Sequence, residues 1–348
     1  MKKIILKVIS FIIIFTIIIS GINNIFLYKS GHRSKLYQGL YTKTEDNYDV
    51  LLMGSSHMNG GINPNILWNE YGITSFNYAT GGQPIDVTYY LLKEALKTHD
   101  SKIVVLDLYY LGLTSEFGEE GYIRYVLDNM KFSANKIEAV MNCTPKDEWL
   151  YYLAPFFKYH SRWKELDEGD YKENFEGGYY AKGFGASQEK YGKENMTILL
   201  GEGEADIPKK TEEYLYKFIQ LSKEENFKLI LVNMPYDYTS TNGMNNWITD
   251  HEKMYNTVEK IANANNIPFI NYNNYLENIG FDFKEDMYNI GHLNVYGSAK
   301  VTLNLGEFIS NNYDLEDKRH NDKYSHWNTG YEEYIEVEKT KYYNSLEG

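Results

Sequence analysis

Cysteine and proline are scarce in this chain of 348 residues, which holds one cysteine, Cys143, and seven prolines. A lone cysteine excludes an intrachain disulfide. The sequence also lacks a His-Glu-x-x-His run, paired cysteines and a glycine-rich phosphate loop, so no metal or nucleotide cofactor is expected. Positive charge falls short of negative: 35 Lys and Arg against 48 Asp and Glu leave a formal net charge of −13. Such a surface repels polyanions, and no nucleic acid partner is expected. Internal repeats and low-complexity linkers are missing too. Tyrosine, by contrast, is abundant, with 34 residues. Tyrosine faces stack on sugar rings, but Tyr rises here together with Asn, Ile and Lys, which fits a genome-wide codon bias better.

The N-terminus carries the one long apolar run. Lys2, Lys3 and Lys7 precede Val8 to Ile22, and the run continues weakly through Ile25-Phe26-Leu27-Tyr28. At about 20 residues it suffices to span a bilayer as a helix. Ser20-Gly21 are small, yet Ile18 and Ile19 precede them, which favours an uncleaved signal anchor over a cleaved peptide. The positive-inside rule then places the N-terminus in the cytoplasm and the rest outside, although Lys29, Arg33 and Lys35 lie on the far side. The expectation is a single-pass protein of the cell membrane with its domain extracellular.

Beyond the anchor (1–28) and a polar stretch read as a stalk (29–47), strands and helices alternate. Asp49–Met53, Thr74–Tyr78, Ile103–Leu108, Phe227–Asn233 and Ile267–Asn271 are short apolar runs, as expected of strands buried on both faces. Helices are expected between them, including Pro64–Tyr71, one opening at Gln83-Pro84, Ile207–Glu225, Asp250–Ala264 and a closing helix over Val295–Asn311. Residues 113–205 break the rhythm and read as a helical insert, with pieces at Gly121–Met130 and Trp149–Leu166. The pattern predicts a flavodoxin-like three-layer α/β/α fold: a five-stranded parallel sheet over 48–312, the insert, and one N-terminal transmembrane helix. In the tail (313–348), the first half is expected to pack on the domain and the last ~15 residues to be loose.

Two fragments carry chemistry. Leu51-Leu52-Met53-Gly54-Ser55-Ser56-His57 sets a serine just past a buried strand, where a glycine permits a sharp turn. That carboxyl edge is where ligands bind in such sheets. A serine hydroxyl needs a base within reach. Asp286-Met287-Tyr288-Asn289-Ile290-Gly291-His292-Leu293-Asn294 offers one, with His292 just before the closing helix. His99, His251 and His326 have no such setting.

Together these fragments resemble the SGNH/GDSL hydrolase superfamily, particularly its membrane-anchored branch in Gram-positive bacteria. The resemblance makes Ser56 the nucleophile and His292 its base. It makes Gly82 or Gly81, in Phe76-Asn77-Tyr78-Ala79-Thr80-Gly81-Gly82-Gln83, an oxyanion donor beside the Ser56 backbone. Two departures stand out. Position 289 holds asparagine where the family has aspartate, so either Asn289 or Asp286 would orient His292. The asparagine that the family carries after its third strand is absent from Leu106-Asp107-Leu108-Tyr109-Tyr110, and a Tyr110 or Tyr109 hydroxyl would have to substitute. His57, Gln83 and His160 are candidate substrate contacts. For Tyr159-His160-Ser161-Arg162-Trp163 the alternative is an amphipathic helix with a buried tryptophan. Asp107 ends a strand and invites a cation, with no further ligands in view. The resemblance implies an acyl-ester hydrolase or O-acyltransferase without a cofactor, acting on an acylated glycan or a small acyl ester, with acetyl esters of envelope polysaccharide as the expected substrate. The competing reading is an inactive scaffold that assists a membrane acyltransferase.

Overall fold

The computed structural model describes residues 2–28, 31–41, 47–171, 181–193 and 202–347. In chain order, α1 (Lys2–Phe26) and α2 (Gly31–Tyr41) precede β1 (Val50–Met53), α3 (Ser56–Gly61), α4 (Pro64–Tyr71), β2 (Ser75–Asn77), α5 (Ile85–Ala95) and β3 (Ile103–Asp107). The insert supplies α6 (Glu120–Leu127), α7 (Ala134–Cys143), α8 (Trp149–Leu153) and α9 (Phe156–Tyr159). Then follow α10 (Lys209–Glu224), β4 (Lys228–Asn233), α11 (His251–Ala264), β5 (Phe269–Asn271), α12 (Phe283–Asp286), β6 (Met287–Asn289), β7 (His292–Leu293), α13 (Val295–Asn312) and α14 (Ser325–Glu347).

Five strands form one sheet in the order β2-β1-β3-β4-β5, every neighbouring pair parallel. Successive side chains point to opposite faces. Leu51, Met53, Val104, Leu106, Leu229 and Leu231 therefore meet the apolar sides of α5, α7, α10 and α11. Val50, Leu52, Ile103, Val105, Ile230 and Val232 meet α3, α4, α12 and α13. Both faces are covered, which is why these strands are apolar throughout rather than alternating. Each such side chain stabilises the fold by about 1.5–3 kcal/mol before entropy is counted. The order of connection reverses between β1 and β3, and the crevice there opens at the strands' carboxyl ends.

Three expectations change. The segment read as a stalk contains α2, whose Leu36 and Leu40 are buried in the same core as Phe76 and Tyr78. Two leucines one turn apart dock it on the domain. The helix expected over Trp149–Leu166 is broken: α8 ends at Leu153, α9 follows Pro155, and 3-10 turns continue over His160–Lys164. A proline cannot donate to the ladder, so the break falls at Ala154-Pro155. Trp163, expected inside, is 64% exposed.

The tail packs as well. Trp327 lies 5.3 Å from Trp68 between ring centres. A buried Lys318–Asp49 ion pair of 2.6 Å ties it to the start of β1. The helical backbone of α14 runs to Glu347, although the side chains from 339 onward fall outside the described residues. Near the other end, α1 over Lys3–Phe26 is long and apolar enough to cross a membrane.

Candidate active site

Gly54 has φ +149°, and a Cβ there would lie 2.7 Å from Asp107 Cβ, so the turn out of β1 admits glycine alone. Ser55 then caps α3, its hydroxyl accepting from the His57 N–H. Ser56 is the first helical residue, projecting from the carboxyl edge of the sheet.

His292 arrives from the far end of the chain on a feature that sequence periodicity did not show: a small antiparallel hairpin, β6–β7, that pairs Asn289 with His292. His292 Nε2 lies 2.8 Å from Ser56 Oγ across 236 positions of sequence. On its other side, Nδ1 lies 3.0 Å from Asn289 Oδ1. That oxygen also accepts the backbone N–H groups of Gly291 and His292, each at 2.9 Å. Turning the amide over would set its NH2 against two N–H donors, so the hairpin backbone fixes the oxygen toward the ring. His292 then carries its proton on Nδ1 and leaves Nε2 to accept from Ser56. Burial lowers the His292 pKa, favouring the neutral base.

Asp286 does not take part in this relay. Its carboxylate accepts from the Asp282 N–H and pairs with Lys300 at 2.6 Å. Of the two residues proposed to orient His292, Asn289 makes the contact.

An aromatic wall closes the other side. His57 stacks on Tyr109, with ring centres 3.6 Å apart, and stands 4.9 Å from the His292 ring. Burial, and then the charge of a protonated His292, push the His57 pKa well down. Tyr236, from the loop after β4, meets His57 edge-on, and Trp247 packs on both Tyr109 and Tyr110. The sequence reading missed Tyr236 and Trp247. The rule that strand carboxyl ends line the site points to the loop after β4. Tyr122 of the insert was missed as well. Its ring lies against Gly82, whose φ is +61° and whose missing Cβ makes that contact. Gly81 is in the same turn, partly exposed.

Two expected substrate contacts change role. Gln83 is buried and its amide bridges Thr80 and Thr88 at 2.9 Å each, holding the turn into α5. His160 bonds to the Phe157 carbonyl on the segment that packs against α1. Asp107 is faced by the Ser55 hydroxyl at 3.2 Å. Burial raises its pKa to about 7, and hydrogen bonds from Ser55, Tyr109 and Met234 oppose the rise. Among the described residues no cluster of three His, Cys, Asp or Glu is placed to hold a metal, so Asp107 has no partners for a cation.

No family model and no curated protein matches the chain. Among solved structures it is similar to a protein of Bacteroides fragilis described as an acylhydrolase, at 14% identity over 82% of this chain and 98% of that one, with a TM-score of 0.40. It is also similar to a gut microbial diltiazem-metabolizing enzyme, at 14% identity over 78% of this chain and 49% of that one, with a TM-score of 0.28. Both likenesses are too remote to carry an activity across.

Proposed function

We propose that this chain is a serine-dependent acyl-ester hydrolase or O-acyltransferase of the SGNH type, held at the cell membrane by α1 with its domain outside. One observation carries the reading: the unbroken relay from Ser56 Oγ through His292 to Asn289 Oδ1, at 2.8 and 3.0 Å. In this mechanism Ser56 Oγ attacks the acyl carbonyl while His292 Nε2 takes its proton. The imidazolium returns that proton to the leaving alkoxide, giving an acyl-Ser56 ester. Water or a sugar hydroxyl, activated by the same nitrogen, then releases the acyl group. The backbone N–H groups of Ser56 and Gly82 serve the oxyanion, with Gly81 or Tyr110 as the alternative second donors. Asn289 replaces the usual aspartate. It keeps the tautomer, through its two backbone donors, but supplies no negative charge to the imidazolium.

The preferred substrate is an acylated glycan of the cell envelope, acetyl esters first. The anchored position and the resemblance to the SGNH family support it. The test is labelling of the full chain by a fluorophosphonate, followed by turnover of an activated acetyl ester. Labelling at Ser56, lost in Ser56→Ala together with turnover, is the expected result. Labelling elsewhere, or unchanged turnover, removes the reading. The neutral Asn289 also favours a second one, a silent scaffold that assists a membrane acyltransferase. No label on Ser56 in a folded chain would select it.

A further inference from the structure

Where the insert faces α1 it mixes charged side chains, Asp128, Lys131 and Lys136 among them, with large aromatic rings left exposed. Phe132 is 67% exposed and Trp163 64%. Phe157 is exposed as well. Each adjoins a residue or cavity that touches α1. Phe132 lines a cavity of about 570 Å³ together with Phe15 and Ile19 of α1. Phe157 follows Phe156, whose ring meets Phe26 edge-on at 5.1 Å. Trp163 follows Arg162, which donates to the Phe26 carbonyl and lies over the Tyr28 ring at 4.0 Å. The insert therefore grips α1 along its last turns, with Phe132 exposed at the shared cavity and Phe157 and Trp163 exposed next in sequence to the residues that make the contacts.

The geometry points to one occupant for this collar. The cavity follows α1 from Phe15 to Leu27, which is ~18 Å of helix at about 1.5 Å per residue. A hydrocarbon core is ~30 Å thick. With α1 spanning it, more than half of one leaflet's depth lies beside the cavity. Among the described residues, no α1 side chain is fully buried and those before Ile22 are mostly exposed, so whatever solvates α1 also reaches the collar. Along α1 the cavity wall passes from apolar Phe15 and Ile19 to polar Asn23 and Asn24, and the insert adds Met130, Phe132 and Leu153 with the charged Asp128, Lys131 and Lys136. That gradient matches a phospholipid, with its acyl chain along the first pair and its head group at the second. Aromatic rings at the junction suit the bilayer interface.

We propose that the insert is a membrane-docking collar, seated in the outer leaflet, whose cavity holds the acyl chain of a bilayer phospholipid. It rests on α1 crossing the bilayer and is independent of Ser56. The experiment uses the full chain in vesicles of phosphatidylcholine and phosphatidylglycerol. A Phe132→Cys chain carries a nitroxide at 132, Cys143 being buried away from the label, and its relaxation by dissolved oxygen is compared with that by a water-soluble nickel chelate. In parallel, tryptophan emission is quenched with lipids brominated near the head group, in the parent chain and in Trp163→Phe. The expected results are relaxation by oxygen well above that by nickel, and a quenched component that Trp163→Phe removes. Both positions are exposed, so neither change threatens folding. Nickel access exceeding oxygen access at 132, or quenching that Trp163→Phe leaves unchanged, overturns the proposal. Fluorophosphonate labelling of Ser56 on the same vesicles reads the active site separately.

Discussion

At the Ser56 rim polar atoms meet each other, whereas near α1 large rings such as Phe132 and Trp163 are left exposed. The rim is assembled from strand ends and a hairpin, and a single oxygen, Asn289 Oδ1, collects three N–H groups. The collar is assembled from short helical pieces with aromatic edges, and its cavities stay open. Close pairing at the rim fixes a geometry, and open apolar surface at the collar selects a surrounding. The insert touches both regions. Its helix α6 lays Tyr122 on Gly82 at the rim, and its Tyr125 lines a second cavity of about 360 Å³ beside Leu27 and Tyr28.

Substitutions at the rim should destroy turnover and leave membrane seating intact. Ser56→Ala is expected to lower ester turnover by at least ~10³-fold, since the nucleophile's contribution far exceeds that of binding alone. Initial rates on an activated acetyl ester measure it, and a loss below tenfold would break the assignment.

Asn289→Ala should cost ~10²-fold or more, because the ring loses the acceptor that fixes its tautomer. Asn289→Asp sharpens the same point. A carboxylate in that place favours the charged imidazole, so the pH below which kcat/KM declines should move upward from the parent's value, which lies under the ordinary histidine pKa. Full pH–rate profiles of the parent and both variants decide it.

Much of this was legible beforehand. The five apolar runs became the five strands, because a sheet covered on both sides needs no polar alternation. Glycine and serine at the end of the first run stood out for the same reason. The choice between Asn289 and Asp286 was not legible. Both precede His292 at plausible spacings, and only Lys300, on α13, shows that Asp286 is taken. The hairpin that pairs residue 289 with 292 has strands of three and two residues, too short to leave a period. Helix α2 was obscured because only Leu36 and Leu40 mark an apolar face in a polar segment, while the rest of its docking rests on its backbone, with the Gly39 carbonyl accepting from Tyr78 and bonded to His99. Gln83 looked available because sequence does not reveal that Thr80 and Thr88 take its amide.

Asp107 couples the rim to pH. A carboxyl whose pKa is about 7 in the folded chain and ordinary when unfolded binds more protons folded than unfolded between those values. Stability contributed by the protonated form is complete below the unfolded pKa and is lost as pH rises toward 7. At most this amounts to about 4 kcal/mol, the full shift converted at 1.36 kcal/mol per unit. Asp107→Asn should abolish that decline. Denaturant midpoints between acid and neutral pH test it, and a parallel decline in the variant would place the effect elsewhere.

Gly82→Ala probes the joint between rim and insert. Its positive φ costs an L side chain about 1–2 kcal/mol, and the new methyl meets the Tyr122 ring. Adding Tyr122→Ala should recover only the steric part, so the double variant stays less stable than Tyr122→Ala alone. Chemical denaturation of the three chains gives the difference.

Phe132→Ser is expected to have the smallest effect on chemistry. The side chain lies in the collar, exposed, on the loop between α6 and α7, and none of the rim's hydrogen bonds involves it. Turnover of a water-soluble acetyl ester in detergent should stay within about twofold of the parent, as for a surface change away from any structural feature. Retention in phospholipid vesicles should persist through α1, because the hydrocarbon span is unaltered. What should change is the seating. A polar side chain in the leaflet carries a desolvation cost that phenylalanine does not. Head-group-brominated lipids should then quench Trp163 less in this variant, with kcat for the soluble ester unmoved. A fall in kcat without a change in quenching would mean that the insert acts on Ser56 directly, and the two regions would then form one site.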